Sequence, residues 1–139
     1  IKIYFNEKPI KFKELDDGFN VKREEVKTPY HKKMLQNVTS TGVLQTPRAS
    51  KGGKLVGTGF GSKLLPNVTP LTVTAGGSIF YKDGKHFATN TEICKICSFP
   101  SDYDFLNNKP QYVMGMSVPP VMMANIATEI YNQWISKLK

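Results

Sequence analysis

The first fifteen residues, IKIYFNEKPIKFKEL, set apolar Ile1, Ile3 and Phe5 alternately with polar neighbours, and Pro9 interrupts the run. A period of two predicts strand, and proline breaks it, so two short strands around a turn are expected. The following DDGFNVKREEVKTPYHKKMLQ is charged and weakly periodic; it reads as a connection or a short helix ending near Gln36. From Asn37 to Gly84 there is no helical period, and Thr, Gly, Val and Pro dominate. Short strands are predicted over Leu64 to Leu65, Leu71 to Ala75 and Ser78 to Tyr81, joined by glycine turns, the last at Asp83-Gly84.

The pattern then becomes helical. Thr89-Asn90-Thr91-Glu92 is a capping box, in which the Thr89 hydroxyl takes a backbone N–H at the third helical position and Glu92 reaches back. A helix is predicted from Asn90 to about Ser98, stopped by Pro100. A second helix is announced by Ser117 with Pro119 and Pro120 in its first turn. Along it Met122, Ile126, Ile130 and Trp134 recur every four residues, flanked by Met123, Ala127 and Tyr131, an apolar face wide enough to require a large partner surface. The expected class is α+β: a strand-rich domain over residues 1–91, with the role of 1–27 unassigned, and a helical portion over 92–139.

Composition refines this picture. An apolar content of 40% suits a globular chain, and no run of about 18 apolar residues exists to cross a membrane. No charged segment followed by an apolar one marks a secretory signal, so the chain reads as intracellular and cytoplasmic, without a membrane partner. It starts at Ile1, which suggests a fragment or a processed product. The net charge of +8 is uneven: residues 1–36 carry nine Lys/Arg against six Asp/Glu, residues 37–91 six against one, and residues 92–139 four against four. A basic middle segment suits a polyanionic partner, because each neutralised phosphate releases counterions; a solvated basic face is the plainer alternative.

Several candidate chemistries fail on spacing. Cys94 and Cys97 lie well inside the expected helix, whereas a redox Cys-x-x-Cys places its thiolate at a helix N-terminus. Only His31 and His86 could complete a zinc set, without finger-like spacing, so no metal site is expected and the cysteines read as buried small hydrophobes. The Gly-Thr-Gly-Phe-Gly-Ser run at 57–62 lacks the third glycine and the following Gly-Lys-Ser/Thr of phosphate loops, and reads as a flexible turn. Asp102 and Asp104 bracket Tyr103 as a possible acid/base pair without further support, and His86 is expected as a polar contact near the helix start. Asn37-Val38-Thr39 and Asn67-Val68-Thr69 match glycosylation sequons, relevant only to a secreted or surface domain.

The order of features in HFATNTEICKICSFPSDYDF and QYVMGMSVPPVMMANIATEI resembles the last two motifs of DNA (cytosine-5) methyltransferases. The penultimate motif of that family runs approximately Arg-x-Leu-Thr-x-x-Glu-x-x-Arg-Leu-Gln-x-Phe-Pro-Asp-x-Tyr. Thr89, Glu92, Phe99, Pro100 and Tyr103 match it in register. The final motif, approximately Gln-x-Gly-Asn-Ala/Ser-Val-Pro-Pro, is matched by Gly115, Ser117, Val118, Pro119 and Pro120. His86, Lys95, Cys97 and Ser101 replace the first motif's two Arg, Gln and Asp; Val113 and Met116 replace the second motif's Gln and Asn.

What the resemblance implies is a target-recognition region followed by a helix that returns to an α/β catalytic domain. PLTVTAGGSIF resembles the family's Thr-rich strand and Gly-rich recognition loop. It assigns double-stranded DNA contacts to Asn67, Thr69, Gly76, Gly77 and Ser78, with Arg48, Lys51, Lys54 and Lys63 on phosphates. It assigns S-adenosyl-L-methionine contacts to Met116, Ser117 and Val118, the cofactor being held mainly by the catalytic domain or a separate catalytic subunit. The family's Pro-Cys nucleophile is absent, since both cysteines follow Ile, so no catalytic residue is expected in this chain and it should be inactive alone. A stand-alone DNA-binding module without catalysis is the alternative.

Overall fold

A computed structural model describes residues 2–4, 8–47 and 52–138. It is a small α+β arrangement: α1 (Pro29–Met34), β1 (Val43–Pro47), β2 (Leu55–Lys63), β3 (Ser78–Phe80), α2 (Asn90–Ile96), α3 (Pro110–Gly115) and α4 (Pro120–Gln133), with single 3-10 turns at Phe12–Glu14 and Ile135–Lys137. The three strands form one sheet in the order β1-β2-β3. β1 and β2 are antiparallel; β2 and β3 are parallel through Gly61–Ser78, Ser62–Ile79 and Lys63–Phe80. The first pair shifts register between Val43–Ser62 and Gln45–Gly57, which bends the long β2.

Alternation along β3 builds two cores. Successive strand side chains point to opposite faces. Ile79 joins Phe12, Leu64, Val73, Tyr81, Ile93, Cys97 and Met114, while its neighbour Phe80 joins Val26, Met34 and Leu44. The larger core thus draws on the N-terminal 3-10 turn, the sheet, α2 and α3 together.

Local chemistry explains the helix ends. Thr28 caps α1 by accepting from the His31 N–H at 3.3 Å, with Pro29 in the first turn. The capping box of α2 forms as expected: the Glu92 N–H donates to Thr89 Oγ1 at 3.0 Å, and the Thr89 N–H to Glu92 Oε2 at 2.9 Å. α2 closes earlier than Pro100 requires. Ser98 adopts φ +56°, its N–H donates to the Lys95 carbonyl at 3.1 Å, and the Phe99 N–H reaches the Cys94 carbonyl at 2.9 Å, which is the Schellman ending.

Other expectations are corrected. No strand forms among the described residues of 1–15; Phe12 and Lys13 instead donate backbone N–H groups to the Val68 and Pro66 carbonyls at 3.1 and 3.0 Å. Leu64–Leu65 follows the end of β2, and Leu71 to Ala75 makes no ladder. The glycine run at 57–62 lies within β2 instead of a turn. The Asp83-Gly84 turn is present, closed by the Gly84 N–H on the Tyr81 carbonyl at 2.9 Å, with Gly84 at φ +69°.

Candidate nucleic-acid interface

The loop from Thr74 to Ser78 leads into β3 and is held from one side by α3. The Gly77 N–H closes it on the Thr74 carbonyl at 3.3 Å. The Gln111 side-chain amide donates to the Thr74 carbonyl at 3.2 Å and also to the Gly77 carbonyl. One turn later in α3, Gly115 meets the loop backbone so closely that an added Cβ would lie 2.2 Å from the Ala75 nitrogen and 2.4 Å from the Thr74 carbonyl carbon. Only glycine fits there without moving the loop. Gly76, by contrast, is exposed, with nothing within 4 Å of a Cβ built on it.

Ser78 is half-buried as the first residue of β3, and its hydroxyl lies 3.4 Å from His31 Nε2. The His31 ring sits edge-on to Phe80 and Phe87, with centroids 5.6 and 5.3 Å away. Beside it an open cleft of about 360 Å³ includes Glu24, Asn90, Lys109 and Gln111 in its lining. Gly77 and Ser78 therefore back onto a polar cleft, while Gly76 forms the outward tip.

Asn67 and Thr69 are exposed on a second loop, which the backbone bonds of Phe12 and Lys13 tie to the N-terminal 3-10 turn. Exposed Lys13 and half-buried Lys11 flank that attachment, two cations whose proximity to residues 66–69 depends on a non-local contact. Lys54 is exposed just before β2. Lys63 is half-buried, and its Nζ lies 3.3 Å from where a Cβ on Gly84 would sit, so its ammonium rests over the Asp83-Gly84 turn. Arg48 and Lys51 fall outside the described residues. The structure joins Gly76, Gly77 and Ser78 in one loop and sets Asn67 and Thr69 in another.

Met116, Ser117 and Val118 follow α3 and are exposed. Their polar groups are largely committed: the Met116 N–H donates to the Tyr112 and Val113 carbonyls at 3.2 Å, the Ser117 N–H to the Met114 carbonyl at 3.1 Å, and Ser117 Oγ to the Val113 carbonyl at 2.6 Å. With the family's Asn replaced by Met116, this donor set does not fit S-adenosylmethionine unaided.

The matched residues of the penultimate motif serve the fold. Arg23, almost buried, donates through Nη2 to Glu92 Oε1 at 2.5 Å and through Nη1 to the Gly18 carbonyl at 2.7 Å, and its guanidinium lies 3.7 Å over the Tyr81 ring. Thr89 Oγ1 donates to Asp17 Oδ2 at 2.9 Å, and Lys95 Nζ pairs with Asp17 Oδ1 at 2.6 Å. Tyr81 donates to Asp16 Oδ1 at 3.0 Å, and Lys82 pairs with the same carboxylate. Burial alone pushes the Asp16 carboxyl up, but hydrogen bonds from Lys82, the Gly18 N–H and Tyr81 outweigh it and hold the group below its ordinary value. Phe99 and Tyr103 pack edge to face at 5.1 Å, with Phe105 against both.

The remaining candidates resolve into structure. Cys97 is buried and Cys94 half-buried; desolvation raises both thiols, Cys97 to about 11, so neither has the depressed pKa of a reactive thiolate. Asp104 accepts the Leu106 N–H at 2.7 Å in a turn, and Asp102 is exposed. His86, three residues before the Thr89 cap, is paired with Asp83 Oδ2 at 2.6 Å across the Asp83-Gly84 turn. Among the described residues no group of three or more His, Cys, Asp or Glu is arranged for a metal, and no helix is long and apolar enough to cross a membrane.

Sequence reasoning missed α3 and its two grips on the Gly-rich loop. The available signal was Pro110 followed at the far end by Gly115, the usual asymmetry of helix starts and stops. No protein-family model, curated protein or solved structure matches the chain.

Proposed function

We propose that this chain is the DNA-recognition portion of a DNA cytosine-5 methyltransferase, with α4 as the element that docks on the catalytic lobe. The observation that carries the reading is α4 itself. None of its residues is buried, and Val121, Met122, Met123 and Tyr131 leave their apolar surfaces exposed. A helix with this pattern, following directly on Val118-Pro119-Pro120, suits burial against a second lobe. The exposed Gly76 tip, with Asn67, Thr69 and Lys54 also exposed, supplies groups able to approach a duplex.

In this reading the chain selects sequence and the partner lobe performs the chemistry. The target cytosine would be flipped from the stack, a cysteine thiolate of that lobe would add to the ring and be expelled again as the C5 proton is lost, and S-adenosylmethionine would supply the methyl group to C5 when bound there. Alone, the chain transfers no methyl group. The stand-alone DNA-binding alternative draws support from the committed donors of Met116 and Ser117. The uncovered face of α4 favours the two-lobe arrangement.

The test is fluorescence anisotropy of the chain on random-sequence duplex DNA across salt concentrations. Contacts to about four phosphates give a log–log salt slope of about −3.6. Absence of binding at the lowest salt, or binding indifferent to salt, would overturn the DNA assignment.

A further inference from the structure

We infer that Gln111 is a positioning residue for sequence readout: from α3 it fixes the Thr74–Ser78 loop in the geometry that presents Gly76 to DNA. The inference rests on the recognition role proposed above and extends it to a residue that matches no position of either resembled motif.

Gln111 and Gly115 are four residues apart and so lie on one face of α3. Gly115 brings helix backbone against loop backbone at Thr74 and Ala75. Gln111 supplies the polar half of the same contact, its single amide group donating to two carbonyls that bracket the tip, those of Thr74 and Gly77. The Thr74 carbonyl also accepts the turn bond from the Gly77 N–H. α3 is anchored in turn by Met114, which is 2% exposed within the larger core beside Ile93 and Cys97. A continuous path therefore runs from the core through α3 to the loop. At the tip, Gly76 has open space on the side where a Cβ would point.

Base-edge readout requires donors and acceptors held to within a fraction of an ångström, whereas phosphate contact tolerates much looser placement. Releasing the loop should then erode discrimination between sequences while leaving the electrostatic part of binding intact. Gln111→Glu is the sharpest perturbation. It keeps size and shape, removes both donors, and sets a carboxylate against two carbonyl oxygens.

A preferred duplex is first selected from a random-sequence library with the full chain. Affinities for that duplex and for a scrambled one are then measured across salt for the natural chain, Gln111→Glu and Gln111→Ala. Far-UV circular dichroism confirms that each variant is folded. The expected result is a loss of about tenfold in the selected-to-scrambled ratio with an unchanged salt slope, matching the weight of a base contact. General damage to the fold would lower both affinities together and change the slope, so a variant that does this counts against the inference. A ratio unchanged in folded Gln111→Ala and Gln111→Glu would overturn the positioning role alone. A natural chain that binds duplex without any preferred sequence, or does not bind, would overturn the recognition role and the positioning role with it.

Discussion

The segment from Leu15 to Arg23 and helix α4 are both peripheral to the sheet, yet they are held by opposite means. The first has few apolar side chains, and it is fastened by Asp16, Asp17 and Arg23 to Tyr81, Lys82, Thr89, Glu92 and Lys95. The second is rich in Met, Ile and aromatic residues and buries none of them. Among its polar attachments are Ser98 Oγ, which accepts the Val121 N–H at 3.2 Å, and Gln133, which exchanges two hydrogen bonds with the Lys2 backbone at 3.1 and 2.6 Å. A charged segment has thus been drawn inward and an apolar one left outside. Polar groups are buried where most find a partner, Arg23 Nε being a buried nitrogen without one, and apolar surface remains exposed where the described residues supply no surface to cover it.

The largest effect is expected at Arg23. Glu92 is fully buried, and Arg23 is the cation that offsets its charge. Arg23→Met keeps much of the side-chain volume but leaves a buried carboxylate without its cation, a change that typically costs about 3 kcal/mol or more. Urea unfolding monitored at Trp134 and by circular dichroism would measure it. A loss below about 1 kcal/mol would mean that the ion pair is not what fastens this segment.

A smaller effect follows from acid. The folded-state value of Asp16 lies below the ordinary 3.8, so its stabilising contribution is complete above that pH and is lost as pH falls through the lower folded value. Lys82 lies above the ordinary 10.5, chiefly because of its hydrogen bond to Asp16, and its contribution is present below that pH and lost as pH rises through the higher folded value. Between these limits the pair gives a flat stability profile. Asp16→Asn should lower the plateau and make the acid limb shallower; an acid limb of unchanged steepness would assign it to other carboxylates, such as Asp83 with His86.

How much of this was legible beforehand follows from the range of the interactions. The capping box of α2 spans Thr89 to Glu92 and can be read directly, and the Asp83-Gly84 turn is equally local. The Arg23–Glu92 pair joins residues 69 apart, and no pattern near either one announces it. The motif matches at Thr89 and Glu92, and the replacement at Lys95, were legible as residues, but their bonds to Asp17 and Arg23 were not. Glycine permits both turn and strand, so the run at 57–62 reads locally as a turn, and pairing with β1 and β3 makes it strand. Helix α3 lacks a side-chain cap at Lys109, and its meaning depends on the Thr74–Ser78 loop more than thirty residues away.

The smallest effect on folding is expected in α4, and there a near-zero result is the informative one. Met122→Ser and Tyr131→Ser together remove apolar surface that is already exposed, since the two residues are 43% and 56% accessible. Substitutions at such positions normally shift stability by no more than about 0.5 kcal/mol each. The same pair of changes in a core helix would cost several times more, on the order of 5 kcal/mol. Urea unfolding of the double variant therefore separates a helix with an open face from one that folds back onto the body in solution. A shift within about 1 kcal/mol keeps α4 as an undocked face available to a second lobe. A loss above about 2 kcal/mol would show that the chain covers this face itself, and would remove the observation on which the two-lobe reading rests.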